Sequence, residues 1–222
     1  MPDLGSFLPG LLVLATAVLL LWFTFGTQRN ISRGNRLLRW LSEGLPELGP
    51  RTTLRWLGSS VAELKLVQPR HPYREALVMV VLEPRDLGAL WAFSRSRGRR
   101  DFIVLRLSLL RAPRIRADLV DPQAWTASDR RVDDAEPDQQ QQWTDAAGRE
   151  IEVRHDGHAD VGALQAHWDR LARDSGGAWR LSVRTTVPHL EIHVLPPDVE
   201  RDDARRLLRE VTALARKVAA PQ

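Results

Sequence analysis

The sequence predicts an α+β protein: one N-terminal transmembrane helix, followed by a six-stranded, mainly antiparallel sheet with helices on one face. Three observations predict this architecture. Residues 7–26 contain no charged side chain over a length that spans a bilayer. Later segments alternate apolar and polar side chains with the period of a strand, and others carry an apolar stripe with the period of a helix. Proline, glycine or aspartate separates these segments.

The composition excludes several classes of protein. The 222 residues include no cysteine, so disulfides, thiolate metal sites and cysteine nucleophiles are excluded. Charged residues make up 27% and hydrophobic residues 43%, which is typical of a globular domain rather than a disordered chain. The formal net charge of +4 favours an anionic membrane surface over a dedicated nucleic-acid site.

The segment FLPGLLVLATAVLLLWFTFG, residues 7–26, is predicted to be a single-pass signal anchor. Twenty helical residues span roughly 30 Å, the hydrocarbon thickness of a bilayer. Residues 1–6 contain Asp3 and no Lys or Arg, which argues against a cleaved signal peptide. Four arginines follow the segment, at Arg29, Arg33, Arg36 and Arg39. The positive-inside rule therefore predicts that residues 1–6 are extracytoplasmic, the C-terminal domain is cytoplasmic, and the protein lies in the cell membrane.

Residues 27–58 are predicted to form a basic, amphipathic juxtamembrane segment. Its leucines recur at helical spacing, at Leu37, Leu38, Leu41 and Leu45, and prolines end that helix. A second short helical turn is expected at 52–57. One interpretation places the helix on the membrane surface, with contacts from Arg29, Arg33, Arg36, Arg39, Trp22 and Trp40. The alternative is that the leucines pack on the domain.

The cytoplasmic domain, residues 59–222, is predicted to consist of three similar ββα units. The strands are expected at 61–67, 75–82, 102–109, 114–120, 179–185 and 190–195. The helices are expected at 86–96, 160–173 and 198–218, each with an apolar stripe that faces the core. Residues 121–148 interrupt the second unit. They carry six acids between Asp129 and Asp145 and four consecutive glutamines, so a disordered insertion is predicted.

One face of the predicted sheet is basic. Its strands alternate, so the side chains that point away from the helices are predicted to be Arg106, Arg114, Arg116, Arg180, Arg184 and His193. Such a face is either solvated or a docking surface for a partner or anion. A hairpin turn centred on Val187 and Pro188 would place Arg184 opposite Glu191.

A second basic cluster, at Arg95, Arg97, Arg99 and Arg100, follows the first predicted helix of the domain. Two interpretations remain open for it. It is a solvated helix end that Gly98 caps, or it is a patch that grips the phosphate of a lipid headgroup or nucleic acid.

No catalytic, metal or cofactor motif is found. His189 and His193 are four residues apart on a predicted strand, so about 13 Å separates them, too far for one metal ion. His155 and His158 flank a glycine in a predicted turn, where they are interpreted as surface side chains. The chain has no G-x-S-x-G, G-x-x-x-x-G-K-[ST] or G-x-G-x-x-G sequence. A non-enzymatic protein without catalytic residues, metal or cofactor is therefore predicted.

The leading functional hypothesis is a membrane-anchored adaptor or accessory subunit that docks a protein partner at the cytoplasmic membrane face. The alternative is a membrane-tethered module that binds anionic lipid headgroups or nucleic acid, with nucleic acid the less favoured ligand. The sequence carries no indication of oligomeric state.

Overall fold

The computed structural model describes residues 4–125, 127 and 139–220. The helices are α1 (Leu4–Gly44), α2 (Gly88–Ser96), α3 (Val161–Arg173) and α4 (Ala204–Ala219), with a 3-10 turn at Leu45–Glu47. The strands are β1 (Thr52–Leu57), β2 (Val61–Leu66), β3 (Tyr73–Val81), β4 (Phe102–Leu109), β5 (Ala117–Val120), β6 (Gln139–Thr144), β7 (Glu150–His155), β8 (Ala178–Val183) and β9 (Leu190–Val194). The protein is therefore α+β, with a long apolar N-terminal helix.

The nine described strands form one sheet in the order β1-β2-β3-β4-β9-β8-β5-β7-β6, and every neighbouring pair is antiparallel. The prediction of a large antiparallel sheet is confirmed, but the prediction of six strands was wrong, because the described residues contain nine. β1 occupies the segment where a helical turn was expected. Its threonines, leucines and Trp56 favour a strand, and Gly58, with φ +70°, permits the tight turn into β2.

The prediction that residues 121–148 form a disordered insertion is also partly wrong. Its end, from Gln139 onward, forms β6, which pairs with β7 at the edge of the sheet. β6 is almost wholly exposed, so its sequence needs no apolar alternation, and the four glutamines gave no strand signal. Residue 126 and residues 128–138 of that insertion lie outside the described residues.

The three ββα units are not supported at the second unit. β4 pairs with β3 and β9, whereas β5 pairs with β8 and β7, so β4 and β5 do not form a hairpin. β5 also begins at Ala117, after the predicted start at Arg114. The last helix starts at Ala204 rather than at 198, because the Asp203 side chain accepts the backbone N–H of Arg205 and caps it.

Helices α1, α3 and α4 cover one face of the sheet and form the main core with it. α1 does not end at the apolar segment. It has 41 residues in all, and its second half buries Leu37, Leu38 and Leu41. Leu45, in the 3-10 turn that follows, is buried with them. Trp40 is only 5% exposed, and its indole donates to the carbonyl of Asp202. The predicted membrane contact of Trp40 was therefore wrong, because the domain buries this side chain.

The opposite face of the sheet is partly covered as well. Phe102, Val104 and Trp179 form a small apolar cluster with Ala124, which follows β5. The Phe102 and Trp179 rings lie 5.7 Å apart. Because this cluster covers the middle of the sheet, β8 and β9 are buried on both faces.

Candidate functional site

The two halves of α1 differ in solvent exposure. Every side chain from Leu8 to Phe25 is exposed, and burial begins at Gly26. Thr16 and Thr24 donate their hydroxyls to carbonyls four residues earlier, as a threonine in an apolar helix does. Among the described residues this is the one helix that is long and apolar enough to cross a membrane. Such a helix is compatible with a membrane anchor or a signal sequence.

Three small or polar residues form a stripe where α1 enters the domain. Gly26, Asn30 and Gly34 recur every four residues, so they share one face of the helix. A Cβ atom on Gly26 would lie 2.2 Å from the carbonyl oxygen of Arg85. A Cβ atom on Gly34 would lie 2.4 Å from the Trp56 ring. We call the stripe, together with residues 82–88, Arg33 and Asp101, the junction. The close approach at Gly26 requires glycine because the neighbouring atoms are backbone, whereas a side chain at Gly34 would have to displace the Trp56 ring.

Asn30 fixes the centre of the junction. Its side chain is fully buried, and its amide donates to the carbonyl of Glu83 at 3.0 Å. The Arg85 guanidinium donates to the Asn30 amide oxygen at 3.1 Å. Because these bonds join α1 to the connection after β3, the helix and the sheet are held in one orientation.

Asp101 connects three groups in the junction. It is 3% exposed and accepts the backbone N–H of Glu83 at 2.8 Å. It also pairs with Arg85 at 3.0 Å and with Arg33. Burial alone would raise the pKa of Asp101, but the hydrogen bonds and positive charges of these partners outweigh it and hold that pKa below its ordinary value.

Glu83 extends this network to α2. Its carboxylate is buried, pairs with Arg95 at 3.0 Å and accepts the indole N–H of Trp91. On the other side, the Trp22 indole donates to the carbonyl of Arg85 at 3.2 Å. The start of α2 also lies against Trp22, because a Cβ atom on Gly88 would lie 2.7 Å from its indole nitrogen. The junction therefore fixes α2 beside the end of the exposed apolar helix.

Replacing Gly26 by leucine should lower the free energy of unfolding by about 1–3 kcal/mol, because the side chain must displace backbone at Arg85. Gly10→Leu on the same helix is the matched control, since no atom lies within 4 Å of its Cβ position. Urea unfolding of the full-length protein in detergent micelles measures both. Equal transition midpoints for the two variants would contradict the close packing at Gly26.

The arginines predicted to contact the membrane surface have different environments. Arg29, Arg36 and Arg39 are exposed on α1, and Trp22 is 49% exposed. Arg33 pairs with Asp101, which leaves its side chain 43% exposed. These five residues remain predictions for membrane contact, whereas Trp40 does not.

The arginines predicted to bind phosphate lie at the end of α2 and in the loop after it. Gly98, with φ +83°, donates its N–H to the carbonyl of Arg95, as expected of a C-terminal cap. Arg95 forms an ion pair with Glu83, and Arg100 donates to the carbonyls of Arg95 and Arg99. The Arg97 guanidinium lies 4.6 Å from the centre of the Phe93 ring.

The predicted basic face of the sheet contains acids that the hypothesis did not include. Arg106, Arg184 and His193 surround Glu191, at 3.3, 3.8 and 2.9 Å respectively. Arg184 stands opposite His189 rather than Glu191, because Ser182 is the residue paired with Glu191. Its ion pair with Glu191 is therefore diagonal. This part of the face is mixed in charge rather than uniformly basic.

Arg180 is the most buried member of that set. It is 3% exposed, and its guanidinium makes two bonds to Asp118, at 3.1 and 2.9 Å. Arg114 is exposed and Arg116 half-buried in the segment before β5, where the Arg116 backbone donates to Asp156. The structure thus brings four of the six predicted residues together on the sheet, whereas Arg114 and Arg116 lie in the segment that leads into β5.

A shallow groove of about 430 Å³ lies between α3 and α4. Its lining is Arg170, Arg173, Asp174, Arg206, Arg209, Glu210 and Ala213. Next to it, burial lowers the pKa of His167, although the Glu210 carboxylate opposes that effect. Burial also raises the pKa of Asp174. Arg170 pairs with Glu210 and Arg206 with Asp174, so most of the charge is already compensated.

The described residues contain no group of three His, Cys, Asp or Glu side chains that could hold a metal ion. His189 instead accepts the backbone N–H of Leu109 at 2.8 Å, and burial lowers its pKa. His155 accepts the N–H of Gly157 at 3.1 Å.

Sequence reasoning missed the junction. The polar side chains that hold it together include Asn30, Glu83, Arg85 and Asp101, which come from separate segments of the chain and match no motif. The four-residue spacing of Gly26, Asn30 and Gly34 is the one local signal that could have indicated a close-packed helix face. The chain matches no protein-family model, and no curated protein is significantly similar to it.

Proposed function

We propose that this protein is a single-pass, membrane-anchored accessory subunit that holds a non-enzymatic docking domain at a fixed orientation against the cytoplasmic membrane face. The observation that carries the proposal is the continuity of α1. One helix passes from an exposed apolar stretch, through the junction, into the core of the domain. A rigid connection fixes which face of the domain a partner at the membrane meets.

The contacts of α1 support an anchor that stays attached. Trp22 and Gly26 both touch the connection between β3 and α2, so cleavage within the apolar helix would remove contacts that the domain uses. Arg29, Arg36 and Arg39 are exposed just past the apolar stretch. Their positive charge favours a cytoplasmic domain.

The proposed docking surface consists of Arg106 on the basic side of the sheet and of Arg114 and Arg116 in the segment that leads into β5. Arg106 is 35% exposed at its side chain, Arg114 is exposed and Arg116 is half-buried. An acidic protein surface is the complementary partner, because arginine binds carboxylates in two-point contacts. Confinement to the membrane raises the effective concentration of the domain near a membrane partner.

Co-purification tests the docking proposal. The full-length protein is tagged, extracted from its own membrane in mild detergent, and its stoichiometric partners are identified by mass spectrometry. The triple variant Arg106→Gln, Arg114→Glu, Arg116→Glu should lose the partner, because it removes one positive charge and reverses two on the surface that faces an acidic partner. Glutamine is used at 106 because a glutamate there would place a second carboxylate beside the buried Glu191. Arg180 is left unchanged, since its removal would leave Asp118 unpaired at the sheet.

A matched triple variant controls for total charge. Arg201→Gln, Arg206→Glu and Arg209→Glu change the total charge by the same amount, at three exposed arginines at and before α4, away from the basic side of the sheet. This variant should keep the partner. A partner retained by both triple variants would remove the proposed docking surface.

The second candidate is binding to an anionic lipid headgroup or nucleic acid. The observation that favours it is the exposure of Arg95, Arg97 and Arg100 directly beside the junction. This function predicts a steep fall in binding with salt, because exposed arginines release counterions when they bind phosphates. Liposome and oligonucleotide binding of the full-length protein at two salt concentrations distinguishes it from protein docking.

A further inference from the structure

The exposed face of α2 is apolar. Leu90 is 46% and Phe93 55% exposed, and the alanines at 89 and 92 are exposed beside them. Leu87, which precedes the helix, is 51% exposed. A surface helix in water usually presents charged or polar side chains on its outer face. α2 instead places its arginines only in the last turn and in the loop that follows.

The inner side of α2 is attached firmly to the domain. Trp91 donates to Glu83, Arg95 pairs with the same carboxylate, and Ser94 is buried. Because these contacts fix the rotation of the helix about its axis, Leu90 and Phe93 are held outward. Their exposure is therefore a property of the folded domain and not of a loosely attached segment.

The position of α2 identifies what its outer face meets. Gly88 lies against Trp22. The exposed apolar stretch of α1 ends at Phe25, three residues after Trp22. α2 therefore begins at the level where α1 leaves the bilayer in the proposed function. Tryptophan and arginine side chains concentrate at this level of a membrane.

We infer that α2 is a second membrane contact, an interfacial helix whose Leu87, Leu90 and Phe93 side chains enter the lipid of the bilayer that α1 crosses. Arg97 and Arg100 then lie at the level of the headgroup phosphates. The inference rests on the proposed anchor. The occupant is lipid because the apolar face of α2 adjoins the exposed apolar side of α1 through Trp22, and a bilayer covers both surfaces at once.

The absence of cysteine in the sequence allows a direct test. Single cysteines replace Phe93, Leu14 or Val187 in the full-length protein, and each is labelled with a nitroxide. The protein is reconstituted into vesicles of phosphatidylcholine and phosphatidylglycerol. Electron paramagnetic resonance then compares the accessibility of each label to oxygen, which partitions into lipid, with its accessibility to a water-soluble nickel chelate.

Val187 is the matched control for exposure. It is an exposed apolar residue, at 60%, in the turn between β8 and β9. Ile103 pairs with Val194 and Leu107 with Leu190, so that turn lies at the end of the sheet opposite α2. Leu14 reports separately on the proposed anchor, because it lies in the exposed apolar stretch of α1.

We expect the labels at positions 14 and 93 to favour oxygen severalfold over the nickel chelate, and the label at 187 to show the reverse. A label at 93 that behaves like the label at 187, with position 14 in lipid, overturns the inference and leaves the anchor intact. A label at 93 shielded from both reagents also overturns it, since a protein then covers α2. A label at 14 that favours the nickel chelate overturns the anchor and the inference together.

Discussion

Replacing Trp168 by alanine should lower the free energy of unfolding by about 3–5 kcal/mol, the largest effect expected from a single core substitution here. Trp168 on α3 is fully buried and is the largest of the fully buried side chains. Its indole N–H also donates to the buried Asp145 carboxylate at 3.3 Å. The alanine variant therefore loses apolar burial, leaves a cavity and weakens a hydrogen bond.

Two variants separate these contributions. Trp168→Phe keeps one six-membered ring but loses the pyrrole ring and its hydrogen bond, so it should cost about 1–3 kcal/mol, less than Trp168→Ala. Trp125→Ala removes a tryptophan that is 36% exposed, and it should cost much less than Trp168→Ala. Urea unfolding of the full-length protein in micelles, followed by near-ultraviolet circular dichroism, gives the three values. Equal losses for the Trp168→Ala and Trp125→Ala variants would show that Trp168 is not in the core.

Replacing Asp101 by alanine should also cost about 3–5 kcal/mol, because it removes the nearer of the two carboxylates that pair with the half-buried Arg85 and leaves the backbone N–H of Glu83 without an acceptor. Asp101→Asn preserves the shape and the acceptor while removing the charge, so a smaller loss is expected. The control is Glu63→Ala, which breaks the exposed pair with Arg55 at 3.7 Å and should cost less than about 1 kcal/mol.

The same residue gives a prediction on pH. The pKa of Asp101 is lower in the folded protein than its ordinary value, so the unfolded chain binds the proton more readily. This contribution to stability is present above the ordinary pKa of an aspartate and is lost as pH falls through the lower folded value. Unfolding measured at several acidic pH values should therefore show a weaker pH dependence in Asp101→Asn than in the unchanged protein. An identical pH dependence would contradict the assigned network.

Several elements were predictable from local sequence. The apolar stretch of α1 and the interior strand β3 are continuous apolar runs, and β4, β8, β9, α3 and α4 show the period of a strand or a helix. Gly98 was recognised as a helix cap because it follows the last turn of α2. These features depend on residues close in the chain, and periodicity reports such local geometry directly.

The basic face of the sheet shows what a local sequence pattern does not predict. Alternation correctly placed Arg106, Arg180 and Arg184 away from the helices, but not the acids that neutralise them. Glu191 reaches Arg106 because β9 pairs with β4, and Asp118 reaches Arg180 because β5 pairs with β8. Strand order decides which charges meet, and the sequence contains no short-range signal for that order.

The sequence alone determined the position and apolar character of the first half of α1, the α+β class, the absence of cysteine and most helix positions. Tertiary structure decided that α1 continues into the core, that the 52–57 and 139–144 segments are edge strands, and that α2 stands beside Trp22. The physical reason is the range of the interactions. Helical and strand periods are set within a few residues, whereas the burial of Trp40 and the junction around Asp101 depend on partners 162 and 68 residues away in the chain.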